Sequence, residues 1–120
     1  MASNVFITKS FSFAVSVVIT CKYLVENKRE FVLSKQLLRS GTAVGALIRE
    51  AQNAESKADF IHKLGIAQKE CDEAIYWLEL LKETEYIDDK IFEELKFKAT
   101  ELLKMIRSSI LTLKQKLAKK

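Results

Sequence analysis

The chain has 120 residues, with 20 Lys or Arg against 16 Asp or Glu, three glycines and no proline. That size holds one domain with a single core, and so few turn-forming residues exclude a β-protein, whose hairpins need punctuation. The net charge of +4 is unevenly placed: residues 69–94 carry three basic and ten acidic side chains, residues 96–120 eight basic and one acidic. Such polarity suits an anionic partner for the C-terminal part, or pairing between the two segments.

The spacing of apolar residues predicts four helices, over about 8–27, 34–53, 57–84 and 89–118. In the first, Phe11, Phe13, Val15, Val17 and Ile19 alternate like a strand. Yet Ile7, Phe11, Ala14, Val18, Cys21 and Val25 also step four and three, as a coiled-coil seam does. A strand among helices has no ladder to join, so a helix is expected, apolar on more than one face and therefore covered on two sides. The uncharged run 10–21 is shorter than the roughly 20 residues that cross a bilayer, and no small-x-small cleavage site follows it. The expectation is a cytoplasmic protein without membrane contact.

The second helix takes Ser34 as its N-cap and carries the seam Leu37, Gly41, Val44, Ile48, Ala51. Gly41 and Gly45 lie on one face, each costing about 1 kcal/mol relative to alanine, which close approach of another helix offsets. The third opens on Ser56-Lys57-Ala58-Asp59, a capping box with aspartate in place of glutamate. Its seam is unbroken: Phe60, Leu64, Ala67, Cys71, Ala74, Leu78, Leu81. The fourth carries Phe92, Leu95, Ala99, Leu102 and Ile106, continued by Ile110, Leu113 and Leu117. Short polar connections make an all-α, antiparallel up-down-up-down four-helix bundle the economical fold.

Nothing in the pattern assembles a catalytic centre. The lone histidine, His62, cannot supply the paired Glu-x-x-His motifs of a di-iron bundle. Cys21 and Cys71 fall on core positions and read as small buried hydrophobes. Glu50, Glu70 and Glu73 have no nucleophile paired with a base beside them, and the carboxylates of the third helix belong to its acidic outer face. Gly41 and Gly45 sit mid-helix, without the strand and the Lys-Ser/Thr of a phosphate loop. The expectation is therefore no enzyme, no cofactor and no metal. Basic residues do form stripes: Lys35, Arg39 and Arg49 within about 80° on the second helix, and Lys96, Lys104, Arg107 and Lys114 within about 80° on the fourth. Those seven are the candidate phosphate contacts; the alternative is a solvated face, or pairing with Asp72, Glu79 and Glu83 on the third helix. Trp77 and Tyr76 flank the third seam, and Phe6, Phe11, Phe13 and Tyr23 mark the first helix, so these two helices are the candidates for a subunit contact.

Ser34-Lys35-Gln36-Leu37-Leu38-Arg39-Ser40-Gly41-Thr42, Ile48-Arg49-Glu50-Ala51, and Phe60-Ile61-His62-Lys63-Leu64 leading to Tyr76-Trp77-Leu78-Glu79-Leu80-Leu81 resemble the 23S rRNA intervening-sequence proteins, also called four-helix bundle proteins. The resemblance implies a small cytoplasmic bundle assembling as a barrel-shaped homopentamer, without known catalysis. A related branch, the accessory variability determinants of diversity-generating retroelements, binds nucleic acid and a reverse transcriptase. By that likeness the partners would be further copies of the chain, RNA or DNA, and a protein such as a reverse transcriptase. The sequence departs from the family pattern at Ala43 and Leu47, where serine and asparagine are usual, and so offers fewer polar groups on this helix.

Overall fold

A computed structural model describes residues 4–119. Four helices account for nearly all of them: α1 Asn4–Lys28, α2 Leu33–Ala51, α3 Lys57–Glu83 and α4 Asp89–Ala118, with no strand among the described residues. Each helix packs on its neighbours in the chain, and α1 closes against α4 through the thinnest contact of the four; among the described residues the backbones of the diagonal pairs do not approach closely. Cys21 meets Ser34, Val17 meets Gly41 and Ser10 meets Gly45. Arg39 meets Glu70 and Glu73, Glu50 meets Lys63, Cys71 meets Ala99 and Lys82 meets Asp89. Lys9 meets Glu101 and Ser16 meets Lys98. In every adjacent pair, residue numbers climb on one helix as they fall on the other.

The seams of α2 and α3 are buried throughout, including all seven expected positions of α3. Burying each large side chain of that stripe contributes roughly 1.5–3 kcal/mol. On α4 the stripe is buried from Phe92 to Ile106, while Ile110, Leu113 and Leu117 are half-buried. Ser56 accepts the Asp59 amide at 3.0 Å, the forward half of the expected capping box, while Asp59 accepts at 3.1 Å from the amide of Glu55, one residue before the cap. Asp88 caps α4 through the Ile91 amide at 2.8 Å.

Helix α1 departs from expectation. It begins four residues early, and its buried face is Phe6, Ser10, Phe13, Val17, Thr20, Cys21 and Leu24. Only Cys21 belongs to the expected seam; Phe11 is 57% exposed. A helix apolar on nearly every side offers no stripe to read, and the polar Ser10 and Thr20 inside the true one disguise it. Ser10 satisfies its hydroxyl on the Ile7 carbonyl at 3.0 Å. The length ground for excluding a membrane span also fails, because Val5–Lys28 is long and apolar enough to cross one by length and composition. In the bundle, however, its inward face is core, and Lys9 pairs with Glu101 at 2.7 Å.

Ser34 does not cap α2. It lies inside the first turn, and the buried carboxylate of Glu30 takes the amides of Val32, Leu33 and Ser34 at 3.2, 3.0 and 2.7 Å. Arg29, at φ 54°, turns the chain out of α1 so that Glu30 can reach those orphan donors. The glycines of α2 have the expected role. A Cβ on Gly41 would stand 2.8 Å from a Val17 methyl, and one on Gly45 would stand 3.2 Å from the Ser10 carbonyl oxygen.

Candidate nucleic-acid interface

The seven candidate cations do not form one surface. Helices α2 and α4 lie on opposite corners of the bundle, with the acidic outer face of α3 between their stripes on one side. On α2, Arg39 leans toward α3, where one guanidinium nitrogen meets Glu70 at 3.0 Å and the other meets Glu73. The Trp77 indole N–H donates to that same Glu73 carboxylate at 3.0 Å. First Trp77 and then Arg39 hold the Glu73 carboxyl below the usual carboxylate range, while Glu73 and Glu70 raise Arg39 further. Arg39 is thus tied into an ion-pair network. Arg49 leans the other way, over the Phe11 ring at 5.7 Å, beside a groove of about 430 Å³ lined by Ile7, Ser10 and Gly45. Lys35 points outward, with no ion-pair partner among the described residues.

On α4, Lys96 stands 3.6 Å from Glu79 and 5.4 Å from the Phe92 ring, so one member of the stripe pairs with the acidic face as the alternative reading foresaw. Lys104, Arg107 and Lys114 are exposed and have no carboxylate partner among the described residues. Four of the seven cations, Lys35 and these three, are free for an outside anion, and Arg49 is held only by a ring. Of the carboxylates, Glu50 is engaged by Lys63 at 3.2 Å, and Glu70 and Glu73 by Arg39. Among the described residues no group of three His, Cys, Asp or Glu could hold a metal ion. Cys21 and Cys71 are free thiols whose Sγ atoms lie 3.3 and 3.2 Å from the Ser34 and Ala99 carbonyls. Burial pushes both up to about 12.

Two further features bear on partners; the first agrees with the expectation that α1 is apolar on more than one face, and the second was not read from the sequence. One is the outer face of α1, where Val5, Phe11, Val15, Val18 and Ile19 stand exposed; Phe97 of α4, 70% exposed, lies by Lys9 and Ser12 at the α1–α4 edge. Phe6 and Phe13, named among the aromatics that mark a subunit contact, are core instead. The signal for that face is the surplus of apolar residues on α1, too many for one buried stripe. The other is a groove of about 530 Å³ between the start of α3 and the end of α4, lined by His62, Gly65, Lys69, Ile110 and Lys114 among others. Its residues are far apart in sequence, and only the α3–α4 register joins them.

A family profile for the 23S rRNA-intervening sequence protein matches residues 3–108. No curated protein matches the chain. Among solved structures, a crystal structure from Bacteroides thetaiotaomicron, described as a protein of unknown function from the S23 ribosomal protein family, is 52% identical. It superposes with a TM-score of 0.86 over 88% of this chain and 97% of that one. The match runs over all four helices, and the chain belongs to the 23S rRNA-intervening sequence protein family.

Proposed function

We propose that this protein is a non-catalytic, cytoplasmic, oligomeric bundle that associates with RNA or DNA through its basic surface. The observation that carries the reading is the trio Lys104, Arg107 and Lys114, exposed on one flank of α4 and free of carboxylates. Cations already neutralised inside the molecule release few counterions on binding, whereas free ones do so and supply sequence-independent affinity. Lys35 adds to it; Arg39 and Lys96, already paired, are expected to contribute less.

The opposed residue numbering of neighbouring helices supports an antiparallel up-down-up-down bundle forming a single domain. The exposed apolar face of α1 supports self-association through that helix, since contiguous apolar patches on a soluble chain mark contact sites. The family resemblance gives a homopentamer as the expected ring. The same face favours a second reading, a scaffold that docks a protein such as a reverse transcriptase without touching nucleic acid.

Filter binding of RNA and DNA over a salt series tests the first reading. Binding that falls steeply with salt is expected, and charge reversal at Arg107 should weaken it and flatten the slope by about one unit. No retention even at low salt overturns it. A nuclease-insensitive, stoichiometric protein partner in a pull-down would instead support the scaffold.

A further inference from the structure

The groove between the first turns of α3 and the last turns of α4 is bordered by one lysine from each helix and floored by apolar side chains. Lys69 and His62 stand on α3, Lys114 on α4, and Ile61, Ile66 and Ile110 lie between them. No carboxylate lines it, although α3 as a whole is rich in them. Asp59 faces away to Lys63 and the Glu55 amide, and Asp72 stands a turn beyond Lys69. Arg107 sits one turn before Ile110 on the same flank of α4, near enough to Cys71 for its charge to be felt there. At the centre is Gly65, where an added Cβ would meet nothing within 4 Å, so the helix backbone itself is open to a visitor. Ile110 and Lys114 of α4 form one wall and lie beyond residue 108, the last residue that the family profile matches.

We propose that this groove seats an extended single strand of nucleic acid, its phosphates along Lys69, Arg107 and Lys114 and its bases against Gly65 and the isoleucine floor. The inference rests on the nucleic-acid reading above and adds the place and the strand type. Charge complementarity selects an anion, and the apolar floor selects one with a flat uncharged body beside its charge. Packed helices stand only about 8–10 Å apart, so the floor between them admits a single strand while a duplex reaches the rims alone. The floor has no aromatic side chain for stacking, so affinity comes chiefly from the phosphates and depends strongly on salt.

The test is fluorescence anisotropy with a labelled oligo-uridine strand of roughly twelve nucleotides and a duplex of equal length. The full chain is expected to bind the strand more tightly than the duplex. Lys69→Glu with Lys114→Glu should weaken strand binding at least about tenfold and lower the log–log salt slope by about 1.4, near 0.7 per contact. Gly65→Phe, which fills the floor without touching a charge, should weaken the strand and leave the duplex unchanged. Lys90→Glu, in the exposed first turn of α4 at the far end from the groove, should change strand affinity less than about twofold, with circular dichroism confirming that each variant is folded. If the full chain binds but the groove variants bind as well as it does, or the duplex binds as tightly as the strand, the groove is overturned while the broader reading stands. If no oligonucleotide binds at about 50 mM salt, both fall.

Discussion

Single residues in this bundle are read most sharply where a missing or buried group makes a definite demand. Gly41 and Gly65 are both helical, yet they should respond oppositely to alanine. At Gly41 the new methyl meets Val17 at 2.8 Å, and overpacking costs about 1–3 kcal/mol, more than the propensity gain of about 1 kcal/mol returns on average. At Gly65 the methyl meets nothing, so the variant should be more stable by up to about 1 kcal/mol. Urea denaturation of the two variants would show opposite shifts in midpoint. Glu30 makes a pH-dependent contribution. Burial works to raise its pKa, but the amides of Leu33, Ser34 and Val32 together outweigh it and hold the carboxyl below its ordinary value near 4.5. A depressed carboxylate stabilises above its unfolded value and loses that contribution as pH falls through the folded one. Glu30→Gln should therefore cost about 1 kcal/mol at neutral pH, with the gap to the parent narrowing in acid below about pH 4.5. An unchanged gap across that range would assign the cost to packing. The thiols, both pushed up to about 12, should resist alkylation at pH 8 in the native protein and react in denaturant; fast native labelling would contradict their burial.

Helices differed in how much of them could be read before folding. The α3 seam was legible in full, because its seven apolar residues step by four and three without a break, even though Ile61, Ile66, Ile75 and Leu80 lie off it. The α2 seam was legible too, and its glycines pointed correctly to a close crossing. Helix α1 was not, since its surplus of Val, Phe and Ile erased the stripe and its core includes Ser10 and Thr20. The N-terminus of α2 misled for a different reason: Ser34 has the right chemistry for a cap, but a left-handed Arg29 places Glu30 within reach first. Basic stripes were legible as angles on a helix, whereas which cations are already neutralised depended on the neighbour's register, as at Arg39 and Lys96. The surplus on α1 also yields a prediction. Ile19 is 63% exposed, so Ile19→Lys should leave the fold intact and lower the mass seen by light scattering. A chain that is already monomeric at micromolar concentration would refute assembly through this face.

For the whole molecule, two kinds of contact should separate by their response to salt. The self-association proposed for the exposed face with Val15 and Ile19 would be apolar and should survive, or strengthen, as salt rises. Anion binding along α4 should fade over the same range. Measuring both in one titration separates association driven by apolar contact from association driven by charge.

The thin contact between α1 and α4 also governs how the chain comes together in time. The other three packed pairs are formed by helices adjacent in sequence, so each closes a short loop, and a bundle of this kind folds quickly. Only the α1–α4 closure joins distant parts of the chain, as Lys9 with Glu101 shows. It should be the last step, absent from the transition state. Leu95, which lines the cleft facing Thr20 and Tyr23, reports on it. Leu95→Ala should cost about 2–5 kcal/mol and speed unfolding while leaving the refolding rate nearly unchanged, a φ-value close to zero. Stopped-flow refolding slowed in proportion to the lost stability would put that closure in the nucleus instead.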